Sequence, residues 1–545
     1  MDTNVQGPRG RLSYQYNPDD TVLSYAVQGG PSASYTYYPS GALDTIAWTP
    51  VSVFFKYAYT LNGQYHTIAM PNGQRRNYSY DDQGRLLQLA NLHPSAGNLA
   101  TYAYGYDLNN ATGQYTMLGQ RVSMTATVPS QGFSGALTDY NYDQSYQLIQ
   151  AAYPNAAPFN GEVDSWSYDS IGNRLANVVN GISQNYTYLK NGSNPLNGQR
   201  LSNDGSNAYT YDANGSTLAE SGTIGNFTFA WDVVNRRIGS SGDILVAYGY
   251  DYQGRRLSKT ISGSKTDYLY SGLDLIRDSG PSSADYIVGP GVDEPLAVAK
   301  NGIVSYVDVD ALGTVTEMGD SRGVITHAVV FDGWGNVRAE VGTRFQPFTY
   351  AGHETDEAGL LFYRARYFAT AIGRFGGEDP LDHHGASKYA YASNSPIRLR
   401  DPFGLEVEGP VLGPPPIIPI INPIINGPYF PFWPSPYGGG EFYFHGNYGG
   451  PGWSGGSWTP GGGENMPPWG GAPPKDPEDQ CYAIHDSCYS NCRKHSANCP
   501  SGECPCTRAC DLALAVCLRG ISGGGIRVAA TAAFFDFHGH LPCWR

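Results

Sequence analysis

Cysteine is missing from the first 480 positions of this chain, and all nine cysteines lie between Cys481 and Cys543. That gap excludes a disulfide framework for most of the molecule, whose fold must rest on burial alone. Charge is also scarce, with only 15% Asp, Glu, Lys and Arg. The net charge of −14 argues against nucleic acid as the main partner. Apolar runs stay well short of the ~18 residues a membrane-spanning helix needs. The opening Met-Asp-Thr-Asn-Val-Gln has neither a basic segment nor an apolar one, so no secretory signal is expected. A cysteine-dense end nevertheless implies an oxidising destination. The expectation is synthesis in the cytoplasm, then export by a specialised route or as part of a longer polypeptide.

What is abundant is tyrosine and glycine, 42 and 69 residues. They fall into a recurring motif: aromatic, x, Tyr, Asp, a few residues, Gly or Asn, Arg, Leu. Instances are Tyr78-Ser-Tyr-Asp-Asp-Gln-Gly-Arg-Leu86, Trp166-Ser-Tyr-Asp-Ser-Ile-Gly-Asn-Arg-Leu175 and Tyr248-Gly-Tyr-Asp-Tyr-Gln-Gly-Arg-Arg-Leu257. Looser copies are Tyr140-Asn-Tyr-Asp143, Tyr209-Thr-Tyr-Asp212 and Phe229-Ala-Trp-Asp232. Alternating aromatics make a half-buried strand, Asp-x-x-Gly makes a turn, and Arg-Leu begins the return strand. One such hairpin cannot bury its aromatic face alone, but stacked hairpins can. The fold class expected is therefore mainly β.

After Leu405 the composition changes. Residues 406–464 are rich in Pro, Gly and aromatics, as in Pro414-Pro-Pro-Ile-Ile-Pro-Ile-Ile-Asn-Pro423, and read as a linker. Residues 465–545 read as a small domain, near neutral with seven basic and seven acidic residues. Its cysteines form two runs. Cys481, Cys488 and Cys492 follow i, i+7, i+11; Cys506, Cys510 and Cys517 follow i, i+4, i+11. Each run lies along one helical stripe. The pairs Cys481–Cys517, Cys488–Cys510 and Cys492–Cys506 are symmetric about one midpoint, as rungs between two antiparallel helices would be. Cys499–Cys504 is the remaining disulfide, and Cys543 is left over. The expectation is a small all-α, disulfide-stapled domain.

The repeats resemble those of the Rhs/YD-repeat family, a resemblance covering residues ~1–405. Tyr306-Val-Asp-Val-Asp-Ala-Leu-Gly-Thr-Val315, Tyr350-Ala-Gly-His-Glu-Thr-Asp356 and Gly359-Leu-Leu-Phe-Tyr-Arg-Ala-Arg-Tyr-Phe368 extend it, as does Asp401-Pro-Phe-Gly-Leu405. The resemblance implies a β-shell over 1–290, a core-associated region over 291–405 and a variable C-terminal toxin. It further implies self-cleavage after Leu405 by the Asp-Pro pair Asp379 and Asp401. Arg374 either positions that site or ties the core together. The expected partners are a cognate immunity protein and secretion machinery or an N-terminal trafficking domain, with delivery to a target cell or the exterior.

The segment Cys481-Tyr-Ala-Ile-His-Asp-Ser-Cys-Tyr489 resembles the catalytic helix of secreted phospholipases A2. That resemblance implies His485 as general base, Asp511 orienting it, Tyr489 in support and Asp486 as a Ca²⁺ carboxylate. Backbone groups around Trp469 and Gly470 would complete the Ca²⁺ shell. It also pairs Cys481 with Cys517 and Cys488 with Cys510, two of the rungs found by symmetry. The usual second cysteine of the family is Tyr482 here. The implied function is hydrolysis of a membrane glycerophospholipid ester, with no nucleic acid involved. The alternatives are a non-enzymatic surface or adhesion protein with a disulfide-rich binding domain, and a zinc site at Cys499, Cys504, Cys506 and Cys510.

Overall fold

The structure is a computed structural model. It describes residues 3–405 apart from 8–9, 52, 107–118, 190–197 and 382–386, together with residue 407 and the pairs 453–454 and 457–458. The chain forms two compact units, Met1–Pro415 and Pro416–Arg545. Described in the second are only Trp453–Ser454 and Ser457–Trp458, which pair antiparallel. The expected α-helical domain and its cysteine rungs lie outside the described residues.

The first unit is built of hairpins laid side by side. One sixteen-stranded sheet runs from Thr3–Gly7 to Ile182–Asn185 and a second from Thr187–Tyr188 to Val337–Gly342. In both, strands pair strictly in sequence order. Among the described residues, helix is confined to single 3-10 turns.

The repeated motif sets this geometry locally. In the 78–86 copy, Asp81 Oδ1 accepts from the backbone N–H of Gln83 and of Arg85, at 3.0 and 2.9 Å. Gly84 donates its N–H to the Asp81 carbonyl and sits at φ +78°, left-handed territory that suits glycine. The other Asp81 oxygen, Oδ2, takes the Arg85 Nε at 2.7 Å. The same turn recurs at Asp251, and at Asp232 with Asn235 at φ 61° in place of glycine. The pairing register shifts just before each motif tyrosine, at Ser79/Tyr80, Ser167/Tyr168 and Gly249/Tyr250. That bulge lets the tyrosine hydroxyl reach the previous hairpin. Tyr80 donates to the Tyr65 carbonyl at 2.9 Å, Tyr168 to Leu148 at 2.9 Å and Tyr250 to Arg237 at 2.7 Å. Each of these three repeats is thus tied to its predecessor by a half-buried hydrogen bond.

Aromatic faces of the two sheets pack on each other. Phe55 meets Tyr306 with ring centroids 6.4 Å apart, and Trp166 meets Trp334 at 6.0 Å. Buried polar groups cross the same interface. Arg76 Nη2 donates to the Val307 carbonyl at 2.7 Å, and Asn91 Nδ2 to that of Val309 at 3.1 Å. Against this body lies a small four-stranded sheet, Glu354–Thr355, Leu360–Tyr363, Arg366–Ala369 and Arg374–Phe375. Tyr363, Phe368, Phe375 and Tyr391 cluster there, all fully buried.

Candidate self-processing site

The Leu360–Tyr363 and Arg366–Ala369 strands join through a two-residue turn, Arg364-Ala365, with Tyr363 paired to Arg366. Arg364 is left-handed at φ 54°. The tip of this hairpin grips the segment Asp401–Leu405 residue by residue. Arg366 Nη2 lies 3.0 Å from Asp401 Oδ2. Arg364 Nη1 donates to the Pro402 carbonyl. The Ala365 N–H donates to the Phe403 carbonyl at 3.2 Å. Arg366 Nε donates to the Gly404 carbonyl.

The gripped segment is a variant of the repeat turn. Asp401 Oδ1 accepts the N–H of Leu405, four residues on, at 2.8 Å, as Asp81 does with Arg85. Gly404 is left-handed at φ +67°, matching Gly84. The difference is chemical. In the repeats at Asp81, Asp232 and Asp251 the second carboxylate oxygen is taken by an arginine four residues on. Here that residue is Leu405, so Asp401 Oδ2 is left for Arg366.

Asp379 reaches the same guanidinium. Its Oδ2 lies 2.9 Å from Arg366 Nη2, while Oδ1 caps its own Asp-Pro turn through the Leu381 N–H at 2.9 Å. Both aspartates of the pair therefore converge on one nitrogen. All three side chains are at most 9% exposed. Arg366 also lies over the Phe375 ring at 3.7 Å. Burial pulls the Arg366 guanidinium below its ordinary value, against the opposing pull of Asp379 and Asp401. Two carboxylates thus meet one guanidinium inside the fold.

Arg374 is used elsewhere. Its Nη2 donates to the Gln199 carbonyl at 2.6 Å and its guanidinium stacks over Tyr389 at 4.6 Å. These contacts join the four-stranded sheet to the Gln199 segment of the shell. The arginine on the aspartates is Arg366, which the sequence reading passed over. Its signal was there in Tyr363-Arg-Ala-Arg-Tyr367, two arginines flanking one residue at a hairpin tip. His485, Asp511, Tyr489, Asp486, Trp469, Gly470 and the four cysteine pairs lie outside the described residues. Among the described residues, no cluster of three His, Cys, Asp or Glu side chains is arranged to hold a metal ion.

Residues 114–381 match the family model described as Teneurin YD-shell. That stretch of the body is similar to a YD-repeat shell. The crystal structure of TcdB2-TccC3-TEV aligns with a TM-score of 0.59 at 18% identity, over 73% of this chain and 21% of that one. At that identity the likeness speaks for the fold alone. The tRNA3(Ser)-specific nuclease WapA of Bacillus spizizenii is 26% identical over 373 residues, 64% of this chain and 15% of the relative. The double-stranded DNA deaminase toxin A of Burkholderia cenocepacia is 26% identical over 401 residues, 63% of this chain and 27% of the relative. The chain thus spans about a quarter or less of the length of these relatives.

These relatives correct one expectation. The sequence reading assigned a membrane phospholipid as partner and excluded nucleic acid. Proteins sharing this shell are named for acting on tRNA and on double-stranded DNA, so the shell does not exclude nucleic acid. The physical error lies in where the charge sits. The acidity belongs to the shell, whereas residues 465–545 are near neutral, so the −14 total does not describe the terminal region.

Proposed function

We propose that this chain is the shell-and-effector part of an exported toxin of the interbacterial kind, cut by itself after Leu405. The observation that carries this reading is the meeting of Asp379 and Asp401 on Arg366, one turn ahead of the Leu405–Glu406 bond. In the cut, water adds to the Leu405 carbonyl carbon and the bond to the Glu406 nitrogen breaks. One carboxylate takes the proton of the water, and the protonated partner supplies the leaving nitrogen. Arg366 keeps one member ionised while the other holds the proton. The test is expression of the full chain. The wild type should yield fragments 1–405 and 406–545, and Asp401→Asn one uncut band; a cut Asp401→Asn would sink the reading.

For the freed segment we propose hydrolytic chemistry of the phospholipase A2-like type, on the strength of the two cysteine runs around His485 and Asp511. His485 would activate water, with Asp511 accepting from its other ring nitrogen and fixing the tautomer. Tyr489 would support the pair. Asp486 with backbone groups at Trp469 and Gly470 would hold a Ca²⁺, whose contribution would be to stabilise developing negative charge.

A second reading, a nuclease or deaminase effector, is favoured by what the relatives are named for. One panel separates the two. Purified 406–545 is given acyl-ester, tRNA and double-stranded DNA substrates, with and without chelator. Ester cleavage lost in His485→Ala and Asp511→Ala supports the first reading. Nucleic-acid turnover that persists in both variants supports the second.

A further inference from the structure

Arg364 faces two ways. Toward the terminal turn its Nη1 donates to the Pro402 carbonyl. Toward the shell it forms a forked pair with Asp293, Nη2 to Oδ1 at 2.6 Å and Nη1 to Oδ2 at 2.9 Å. Asp293 does not belong to the four-stranded sheet. It lies in the loop between strands Ala284–Val288 and Pro295–Lys300 of the second large sheet.

That loop is a junction. Tyr65, from the first large sheet, donates its hydroxyl to Glu294 Oε2 at 3.1 Å. Arg400, one residue before Asp401, donates to the Val292 carbonyl at 3.2 Å. His353 Nε2 lies 3.6 Å from Asp293 Oδ2. Asp293 and Arg364 are both left-handed, at φ 59° and 54°. Side-chain-bearing residues persist in that region only where the surroundings hold them there. Both large sheets and the terminal segment thus meet at this loop.

The electrostatics make the two partners depend on each other. Burial works against the charge of Arg364, and Asp293 is the first of the groups that together outweigh it, with Asp274 behind. Burial likewise opposes the charge of Asp293, and Arg364 holds that carboxyl below the ordinary range. A buried guanidinium that loses its carboxylate is an uncompensated charge and leaves its site. The hold on Pro402 then goes with it. Asp401, the next residue, loses its fixed approach to Arg366.

We propose that Asp293 and Arg364 form a positioning couple that makes the cut after Leu405 conditional on assembly of the shell. The inference rests on the self-cleavage reading. Before the sheets have closed on the 289–294 loop, Arg364 has no counter-ion and Asp401 is not presented. After they have closed, Arg364 fixes the Pro402 carbonyl and the Asp401–Leu405 turn is completed. The effector is thus released only from a finished shell.

The test is a time course of full-length chain made by cell-free translation, scored for fragments 1–405 and 406–545. Asp293→Asn and Arg364→Ala should each slow the cut by about 10-fold or more, the scale of a displaced reacting group. Added guanidinium ion should restore part of the rate to Arg364→Ala and none to Asp401→Asn. Arg364→Lys, which keeps the charge but not the fork, should fall between Arg364→Ala and wild type. Folding is checked in an uncut Asp401→Asn background, where the second substitution should leave a protease-resistant shell. A wild-type rate in both Asp293→Asn and Arg364→Ala overturns the couple while leaving self-cleavage intact. If Asp293→Asn fails to fold, a wild-type rate in Arg364→Lys overturns it equally. A wild type that is never cut overturns the self-cleavage reading and this inference with it.

Discussion

Arg366 Nη2 sits 3.0 Å from Asp401 Oδ2, while Asp401 Oδ1 accepts the N–H of Leu405 four residues on. In three copies of the repeat turn that position carries an arginine, Arg85, Arg236 or Arg255, each paired with its own aspartate, whereas other copies carry Gln147, Asn173, Ser216 or Thr314 there. At Asp401 the second carboxylate oxygen meets a guanidinium from a different element, and not an arginine of its own turn.

Removing Arg366 should therefore do two things. Arg366→Gln should abolish the cut, because the guanidinium on which the two aspartates meet is then gone. It should also destabilise the shell by about 3 kcal/mol, the scale for stripping one partner from a buried ion group. Gel analysis reads the first effect and denaturant unfolding the second. An intact cutting rate in Arg366→Gln would remove the guanidinium from the mechanism.

Gly404 is the least replaceable residue of the terminal turn. It stands at φ +67°, and a Cβ added there would lie 2.5 Å from the Tyr363 carbonyl oxygen and 3.1 Å from the Arg366 nitrogen. Both neighbours are backbone and neither can step aside. Gly404→Ala should leave the chain uncut while the shell stays folded. The comparison is Gly84→Ala, equally left-handed but with only the Gln64 side chain near, which should leave cutting unaffected.

Tyr168→Phe isolates one stitch between repeats. The change removes the hydrogen bond to the Leu148 carbonyl and should cost about 1 kcal/mol in unfolding free energy. Tyr252→Phe, on a turn tip where the side chain is 79% exposed, should fall within about 0.5 kcal/mol of wild type. Equal effects would mean that the motif tyrosines act by ring packing alone.

Asp308 and Glu317 sit directly opposite each other on neighbouring strands, both buried. Burial raises Asp308 to about 7. Burial, and then the Asp308 charge, raises Glu317 to about 8. A carboxyl raised on folding binds its proton more tightly in the native state. Its stabilising contribution is complete below the ordinary carboxylate range and is lost as pH rises toward 7 and 8. Thermal midpoints of an uncut shell should accordingly fall across that window. Asp308→Asn should flatten the fall, with its advantage over the parent largest near pH 8. A parent and variant whose difference does not change with pH would refute the assignment.

Much of the shell was legible in the sequence, because its information is local. The Asp-x-x-Gly turn needs only a carboxylate, two backbone N–H groups and one left-handed residue, all within five positions. The motif tyrosine reaches the carbonyl of the preceding hairpin, and sequential antiparallel pairing follows from hairpin length. Asp379 and Asp401 were also visible, each marked by its own Asp-Pro turn. Their meeting was not, since nothing in either turn says which cation will face it. Arg374 is the arginine the sequence offers for the site, and nothing along the chain sets Arg366 on the aspartates in its place. Only the pairing of Tyr363 with Arg366 places Arg366 beneath the Asp401–Leu405 turn and sends Arg374 to Gln199. Asp293 carried no signal at all, because a loop residue is assigned to Arg364 by the packing of two sheets and not by any spacing along the chain. Hydrogen bonds within a turn are set by a few adjacent residues, whereas the choice among buried ion partners is made by whichever surfaces the completed fold brings together.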